Sequence, residues 1–273
     1  MMECPRKLQS ALVSLAVLFA AALFTSAQDA APAIFQRIVL LGASATSGFD
    51  ESELLGGPKT LQYRLANYVE AALIGTHEPV ATQASAFVFM QAAEIMEKQV
   101  AATVAARPTL VIGVDAMFWF CYGAGVTPEQ RVARFEAGLR LLERIDARLI
   151  VGDIPDASTA VGGILNKEDY PDPGAIERCN ERLKTWAAGR KNVTVFPIAR
   201  IMAAAVANEE VVLAGTTWAK GKSGALIRGD RLHPTRHGLA ALAIAMLDAA
   251  GKPVLGDVET VRAAGIARAT AKP

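Results

Sequence analysis

The sequence has few of the side chains that hold metal ions in proteins. Its 273 residues include only three histidines and three cysteines, and one of the cysteines lies within the first ten residues. The three histidines and the two remaining cysteines do not occur at the spacings that structural zinc sites use; these residues are His77, His233, His237, Cys121 and Cys179. We therefore predict neither a metal site nor a cofactor.

The chain also lacks an excess of charge of either sign. It has 28 lysines and arginines against 27 aspartates and glutamates, which gives a formal net charge of +1. It has no basic excess to attract a nucleic acid and no acidic tail. This balance suits a small-molecule or carbohydrate substrate, and we predict no nucleic-acid partner.

One continuous apolar stretch is long, and it lies near the N-terminus. Residues 11–24 follow the basic pair Arg6 and Lys7 and precede the small residues 25–27. This order is typical of a secretory signal peptide, and the apolar core is short for a membrane-spanning helix. We predict a signal peptide at residues 1–27, a secreted or periplasmic mature protein, and no stable membrane insertion after cleavage. An uncleaved N-terminal anchor is the alternative.

Residues 28–250 have the pattern of a single α/β domain. Short apolar segments without alternation, typical of strands buried on both faces, alternate with segments whose apolar residues recur at helical spacing. The predicted strands lie at residues 38–41, 79–81, 109–114, 147–152 and 192–197. These units predict a three-layer α/β/α sandwich on a five-stranded, mainly parallel sheet of flavodoxin-like type. Residues 251–273 have no strong period, and we predict a weakly ordered tail there.

Two polar segments are expected to meet at the carboxyl edge of this sheet. The first strand ends at Gly42 and Ser44 follows in a turn, which is where open α/β sheets place their chemistry. Asp230 and His233 lie three residues apart just before the last helix of the predicted domain. A serine hydroxyl becomes an effective nucleophile when a base takes its proton, and that base needs a third group to fix its tautomer. We predict Ser44 as nucleophile, His233 as general base and Asp230 as the orienting carboxylate.

Three segments resemble the sequence blocks of one enzyme family. Residues 42–48, Gly-Ala-Ser-Ala-Thr-Ser-Gly, are similar to the Gly-Asp-Ser block of the SGNH, or GDSL-type, hydrolases. Residues 230–238 resemble their last block, Asp-x-x-His-Pro followed by a glycine and a closing helix. Gly113 and Asp115 fall where the family has Gly-x-Asn at the exit of a middle strand. The resemblance covers the predicted mature chain in order and spacing, and it implies the SGNH-type fold and hydrolysis of an ester.

The resemblance also implies where the oxyanion and the substrate would lie. The backbone N–H of Ser85 or Ala86 takes the place of a family glycine that faces the oxyanion, and Trp119 is a candidate wall of the pocket. Two positions depart from the family: Ala43 replaces the aspartate of Gly-Asp-Ser, and Asp115 replaces an asparagine that donates to the oxyanion. Asp115 either donates as a protonated acid, or points elsewhere, or belongs to a reaction other than simple ester hydrolysis.

These predictions favour an exported serine hydrolase that cleaves a carboxylic ester through an acyl-serine intermediate. A carbohydrate acetyl ester and a short acyl ester are both candidate substrates. Two alternatives stay open: a periplasmic O-acyltransferase that uses the same triad, and a non-catalytic protein of this fold that binds a glycan or a partner. The sequence does not indicate an oligomeric state. It also does not indicate whether Cys121 and Cys179 form the disulfide that an exported compartment permits.

Overall fold

The computed structural model describes residues 32–49, 58–251 and 256–271. The predicted signal peptide lies outside these residues. Within the described ranges, no helix has both the length and the apolar character needed to cross a bilayer.

A five-stranded parallel sheet forms the centre of the described domain. Its strands are β1 (Ile38–Leu40), β2 (Ala81–Thr82), β3 (Leu110–Gly113), β4 (Arg148–Gly152) and β5 (Val193–Phe196). They lie in the order β2-β1-β3-β4-β5, and each neighbouring pair is parallel. The chain adds β2 on one side of β1 and β3 on the other, so the carboxyl ends of β1 and β3 border the crevice where such sheets bind ligands.

Helices cover both faces of the sheet. They are α1 (Ser44–Ser47), α2 (Leu65–Ala72), α3 (Ala92–Ala105), α4 (Phe118–Cys121), α5 (Pro128–Leu142), α6 (Pro173–Ala188), α7 (Ile198–Ala207), α8 (Arg236–Ala249) and α9 (Val258–Thr270). Short 3₁₀ helices lie at Ala33–Phe35, Pro58–Tyr63, Ala86–Phe89, Ser158–Ala160, Lys167–Asp169 and Ser223–Leu226. A separate antiparallel hairpin consists of β6 (Val211–Leu213) and β7 (Thr216–Trp218).

Alternate residues of the strands face two different helical layers. Leu40 and Ile112 pack with α2, α7, α8 and α9, whereas Val111 and Val151 pack with α3, α4, α5 and α6. Because both faces of each central strand are covered, apolar side chains are required at every position, which explains the uninterrupted apolar runs in the sequence. The predicted three-layer sandwich on a five-stranded sheet is confirmed.

The C-terminal segment differs from its prediction. Much of residues 251–273, predicted to be a weakly ordered tail, is helix α9, which packs against α2 and α8. Asp257 caps this helix by accepting a hydrogen bond from the Thr260 N–H at 2.8 Å. Gly265 permits the close contact, since a Cβ atom there would lie 2.6 Å from the Tyr68 ring. Because α9 makes this contact with a glycine and not with a large apolar side chain, its sequence lacks much of the apolar periodicity from which helices are predicted.

Candidate active site

Ser44 begins helix α1 just beyond the carboxyl end of β1. Gly42 makes the turn between them with a φ of +150°, and a Cβ atom there would lie 2.1 Å from the Asp115 Oδ1. Only glycine fits both conditions. The buried Gln99 side chain fixes the turn, because its amide donates to the Gly42 carbonyl at 3.0 Å and its oxygen accepts from the Gly42 N–H at 3.2 Å.

Ser44, His233 and Asp230 form a continuous chain of hydrogen bonds. The Ser44 Oγ lies 2.8 Å from the His233 Nε2, and the His233 Nδ1 lies 2.8 Å from the Asp230 Oδ2. The Asp230 Oδ1 accepts from the backbone N–H groups of Leu232 at 3.0 Å and His233 at 2.9 Å. With Nδ1–H donating to the carboxylate, Nε2 offers its lone pair to the serine hydroxyl, as a general base requires.

The surroundings of Asp230 favour its charged form and orient the histidine. Burial raises the pKa of the Asp230 carboxyl, but hydrogen bonds and charge from His233 outweigh burial, so that the pKa lies below its ordinary value of 3.8. The Arg228 Nε lies 3.9 Å from the Asp230 Oδ2. The Phe49 ring stacks on the His233 imidazole with centroids 4.3 Å apart, and its carbonyl accepts from Arg228 at 2.7 Å. The imidazole is thereby held facing Ser44.

The loop that carries the histidine is fixed where it enters α8. Pro234 pairs with Ile227 in an antiparallel bridge. Thr235 caps α8 by accepting from the Gly238 N–H at 3.1 Å. A Cβ atom on Gly238 would lie 2.1 Å from the Leu226 carbonyl oxygen, so a glycine is needed where the helix meets the preceding 3₁₀ helix.

Asp115 accepts hydrogen bonds from the turn that carries Ser44. Its Oδ1 accepts from the Ala43 N–H at 3.0 Å and the Thr46 hydroxyl at 2.6 Å, and its Oδ2 accepts from the Thr46 N–H at 3.2 Å. Burial raises the pKa of this carboxyl, and the hydrogen bonds from Thr46 and Ala43 act in the opposite direction. Both oxygens are engaged as acceptors, so Asp115 does not serve as the oxyanion donor of the family pattern. From just after β3, it ties the turn around Ser44 to the centre of the sheet.

The remaining predicted pocket residues lie in different surroundings. The Ser85 N–H donates to the Gly42 carbonyl at 3.0 Å and is therefore already engaged. Ala86 begins the 3₁₀ helix beside α1, and its N–H donates to no acceptor in the described part of the chain. Gly113 is buried at the end of β3. Trp119 lines the cavity next to Ser44.

A cavity of about 90 Å³ opens beside Ser44 and His233. Its polar lining consists of these two residues and the carboxylates of Asp115 and Asp153, and the rest is apolar. The sequence did not indicate Asp153, which follows β4 and accepts from the Ala199 N–H at 2.7 Å, at the start of α7. Burial raises the pKa of the Asp153 carboxyl, and the hydrogen bond from Ala199 opposes this. The polar groups of the cavity thus lie at the carboxyl edge of the sheet, and the rest of its lining is apolar.

The aromatic segment after β3 contains the helical turn α4. The buried Tyr122 stacks on Phe118 with centroids 4.0 Å apart, and its hydroxyl donates to the Pro155 carbonyl at 2.8 Å. Tyr122 therefore fills the core. Cys121 and Cys179 are buried free thiols, and the neighbouring Cys179 thiol together with burial raises the pKa of the Cys121 thiol.

Comparison with known proteins shows which solved structures are similar to this fold. No protein-family model matches the sequence, and no curated protein matches it significantly. A Bacteroides fragilis protein assigned as an acylhydrolase superposes with a TM-score of 0.50 at 16% identity, over 84% of this chain and 95% of its own. A lipase/acylhydrolase from Enterococcus faecalis gives a TM-score of 0.49 at 16% identity, with 78% and 94% covered. A GDSL-like lipase from Bacteroides thetaiotaomicron gives 0.49 at 15% identity, with 86% and 95% covered.

The first of these likenesses identifies the class of fold. The chain shares the α/β/α fold of that Bacteroides fragilis protein, which agrees with the fold that its sequence blocks predict. At this level of identity the likeness concerns the fold, and function has to be argued from the site.

Proposed function

We propose that the protein is a serine hydrolase that cleaves a carboxylic ester through an acyl-serine intermediate. The observation that carries this proposal is the unbroken hydrogen-bond chain from Ser44 through His233 to Asp230 at the mouth of a cavity. A protein that only bound a ligand would have no need of a nucleophile, a base and an orienting carboxylate in this arrangement.

In the first half-reaction, the Ser44 Oγ attacks the ester carbonyl while the His233 Nε2 takes the hydroxyl proton. The Asp230 carboxylate stabilises the imidazolium that forms. The tetrahedral intermediate then collapses: the bond between the carbonyl carbon and the alcohol oxygen breaks, and Nε2–H protonates the leaving alcohol. The product is an ester between the acyl group and Ser44.

In the second half-reaction, His233 takes a proton from a water molecule, whose oxygen attacks the acyl-serine carbonyl. The bond to the Ser44 Oγ breaks, Nε2–H returns a proton to that oxygen, and the carboxylic acid leaves. An acyltransferase differs at this point alone, since a sugar hydroxyl would replace the water.

The negative charge on the tetrahedral intermediate requires hydrogen-bond donors. Asp115 accepts at both oxygens and Ser85 donates to Gly42, so neither is assigned this role. We assign it to the backbone N–H groups of Ser44 and Ala86, which donate to no acceptor among the residues that the structure describes. One such donor contributes about 2.7–4 kcal/mol to transition-state stabilisation.

Hydrolysis of p-nitrophenyl butanoate tests the proposal. Ser44→Ala and His233→Ala should each lower kcat by at least roughly 10³-fold, because both act in the same step. His237→Ala is the matched control, since that half-exposed histidine pairs with Glu259 at 2.9 Å, and it should leave kcat unchanged. Equal activity in Ser44→Ala and the wild type would refute the proposal. Acylated sugar formed from an added acceptor would identify a transferase instead.

We also propose export of the mature protein, on the signal-peptide pattern of residues 1–27. N-terminal sequencing of the protein from a secreting host should begin at Gln28. A sequence beginning at residue 1 or 2 would contradict cleavage.

A further inference from the structure

The cavity beside Ser44 extends away from the triad along helix α7. Ile198, Ile201, Met202 and Ala205 all line it, and their spacing of three, four and seven residues places them on one face of the helix. Ile198 begins α7 just after β5, at the same sheet edge as Ser44. Ala205 lies seven residues further along, which corresponds to about 10 Å at a rise of ~1.5 Å per residue. The cavity therefore runs inward from the reacting serine.

The inner wall of this cavity is apolar and consists of buried side chains. Leu65 from α2, Leu213 from β6 and Leu239 from α8 line it opposite α7, and all three are buried in the same hydrophobic core as Ala205. A sugar hydroxyl placed there would lose its hydrogen bonds to water without gaining others, whereas a hydrocarbon chain would be stabilised by leaving water. The carbohydrate part of an ester is thus excluded from the inner cavity.

The volume of the cavity limits the number of carbons in the acyl chain that it can hold. An apolar cavity of about 150 Å³ is known to hold benzene, which has six carbons. By proportion, this cavity of about 90 Å³ holds on the order of four carbons. The carbonyl carbon itself lies outside this count, because it must reach the Ser44 Oγ at the mouth.

We propose that the enzyme selects esters of short, unbranched, unsubstituted acyl chains, butanoyl to hexanoyl, whose hydrocarbon part fills the cavity between α7, α8 and β6. This inference rests on the proposed function and narrows its substrate class from any carboxylic ester to these. The acetyl group has too few carbons to fill the cavity, and acyl chains of ten or more carbons are too long to fit in it.

A series of p-nitrophenyl esters from acetate to decanoate measures this selectivity. Burial of each methylene changes an equilibrium or a rate roughly fourfold, so kcat/KM should rise about 15-fold from acetate to butanoate. It should reach its maximum at butanoate or hexanoate and fall at decanoate. A flat profile, or a maximum at acetate or decanoate, would overturn the inference.

Two substitutions test whether the acyl chain of the substrate binds in this cavity. Ala205→Leu fills the inner end and should lower kcat/KM for hexanoate about tenfold while changing that for acetate less than twofold. Ala203→Leu is the matched control, because Ala203 lies on the exposed side of the same helix, and its profile should remain that of the wild type. Leu213→Ala removes an inner-wall side chain and should move the optimum to longer chains, which keeps the test informative if Ala205→Leu does not fold. An unchanged profile in Leu213→Ala, or in a folded Ala205→Leu, would contradict the assignment.

A binding measurement separates failure of this inference from failure of the proposed function. Calorimetric titration of hexanoate into Ser44→Ala should show binding that the additional Ala205→Leu substitution weakens about tenfold. Binding without ester hydrolysis by the wild type would refute the hydrolase and leave the acyl cavity standing. Ser44-dependent hydrolysis with no chain-length preference and no hexanoate binding would refute the acyl cavity and leave the hydrolase standing.

Discussion

Asp115 provides a sharp test of how the nucleophile is positioned. Asp115→Asn preserves the shape of the side chain but replaces one acceptor oxygen with an amide donor. The wild-type carboxylate accepts from N–H groups at both oxygens, Ala43 on Oδ1 and Thr46 on Oδ2. In either orientation of the amide, at least one of these N–H groups therefore faces another donor.

The expected cost follows from the hydrogen bonds that are lost. A buried donor left without its partner costs about 1–3 kcal/mol, so the free energy of unfolding should fall by about that amount. Both N–H groups belong to the turn that carries Ser44, and a displacement of ~1 Å at a reacting group can lower the rate about 10²-fold. We expect kcat to fall about 10²-fold and KM to change little, because the acyl cavity is retained.

Urea unfolding and ester kinetics on p-nitrophenyl butanoate measure both effects. Thr46→Val serves as the control, since it removes the hydroxyl that donates to Asp115 at 2.6 Å and retains the Thr46 N–H. Its losses should be smaller than those of Asp115→Asn. Activity in Asp115→Asn equal to or above that of the wild type would refute the positioning role, and a gain would show that position 115 donates to the oxyanion after all.

Two further predictions concern stability. The pKa of Asp230 is lowered on folding, so its stabilisation is complete above the ordinary value of 3.8 and is lost as the pH falls through the lower folded value. Urea unfolding between pH 6 and pH 2 should therefore show the advantage of the wild type over Asp230→Asn decreasing toward acid, and a constant difference would contradict this. Gly265→Leu should destabilise the protein by about 1–3 kcal/mol through overpacking against Tyr68, measured by thermal unfolding. Gly189→Leu controls for loss of a glycine, since its φ is −81° and the nearest atom to a Cβ there is the Trp186 carbonyl oxygen at 3.9 Å, and an equal loss in both would argue against the contact.

The sheet and the triad could be predicted because their signals are local in sequence. Central strands covered on both faces must be apolar at every position, so each appears as an uninterrupted run. Asp230 and His233 lie three residues apart on one loop, and Ser44 follows the first strand directly. Parallel topology brings the ends of those strands to one edge, which explains why residues 189 positions apart, Ser44 and His233, meet.

The features that could not be predicted depend on which groups face each other in space. The spacing of Asp115 after β3 placed it at the site, but only the fold shows that its oxygens accept from residues 43 and 46. Ser85 and Ala86 are adjacent in sequence, yet only the Ser85 N–H donates to Gly42. The apolar cavity is assembled from α2, α7, α8 and β6, which are far apart along the chain, so no local pattern in the sequence indicates it.

The central claim is that Ser44 is a nucleophile activated by His233, and covalent labelling tests it most directly. An alkyl fluorophosphonate reacts with an activated serine, whose oxygen forms a bond to phosphorus as fluoride leaves. Intact-mass and peptide mass spectrometry of the full-length mature protein should show one adduct, on the peptide that contains Ser44. Labelling should be absent in Ser44→Ala and strongly slowed in His233→Ala. An adduct on another residue, or labelling that persists in Ser44→Ala, would contradict the account.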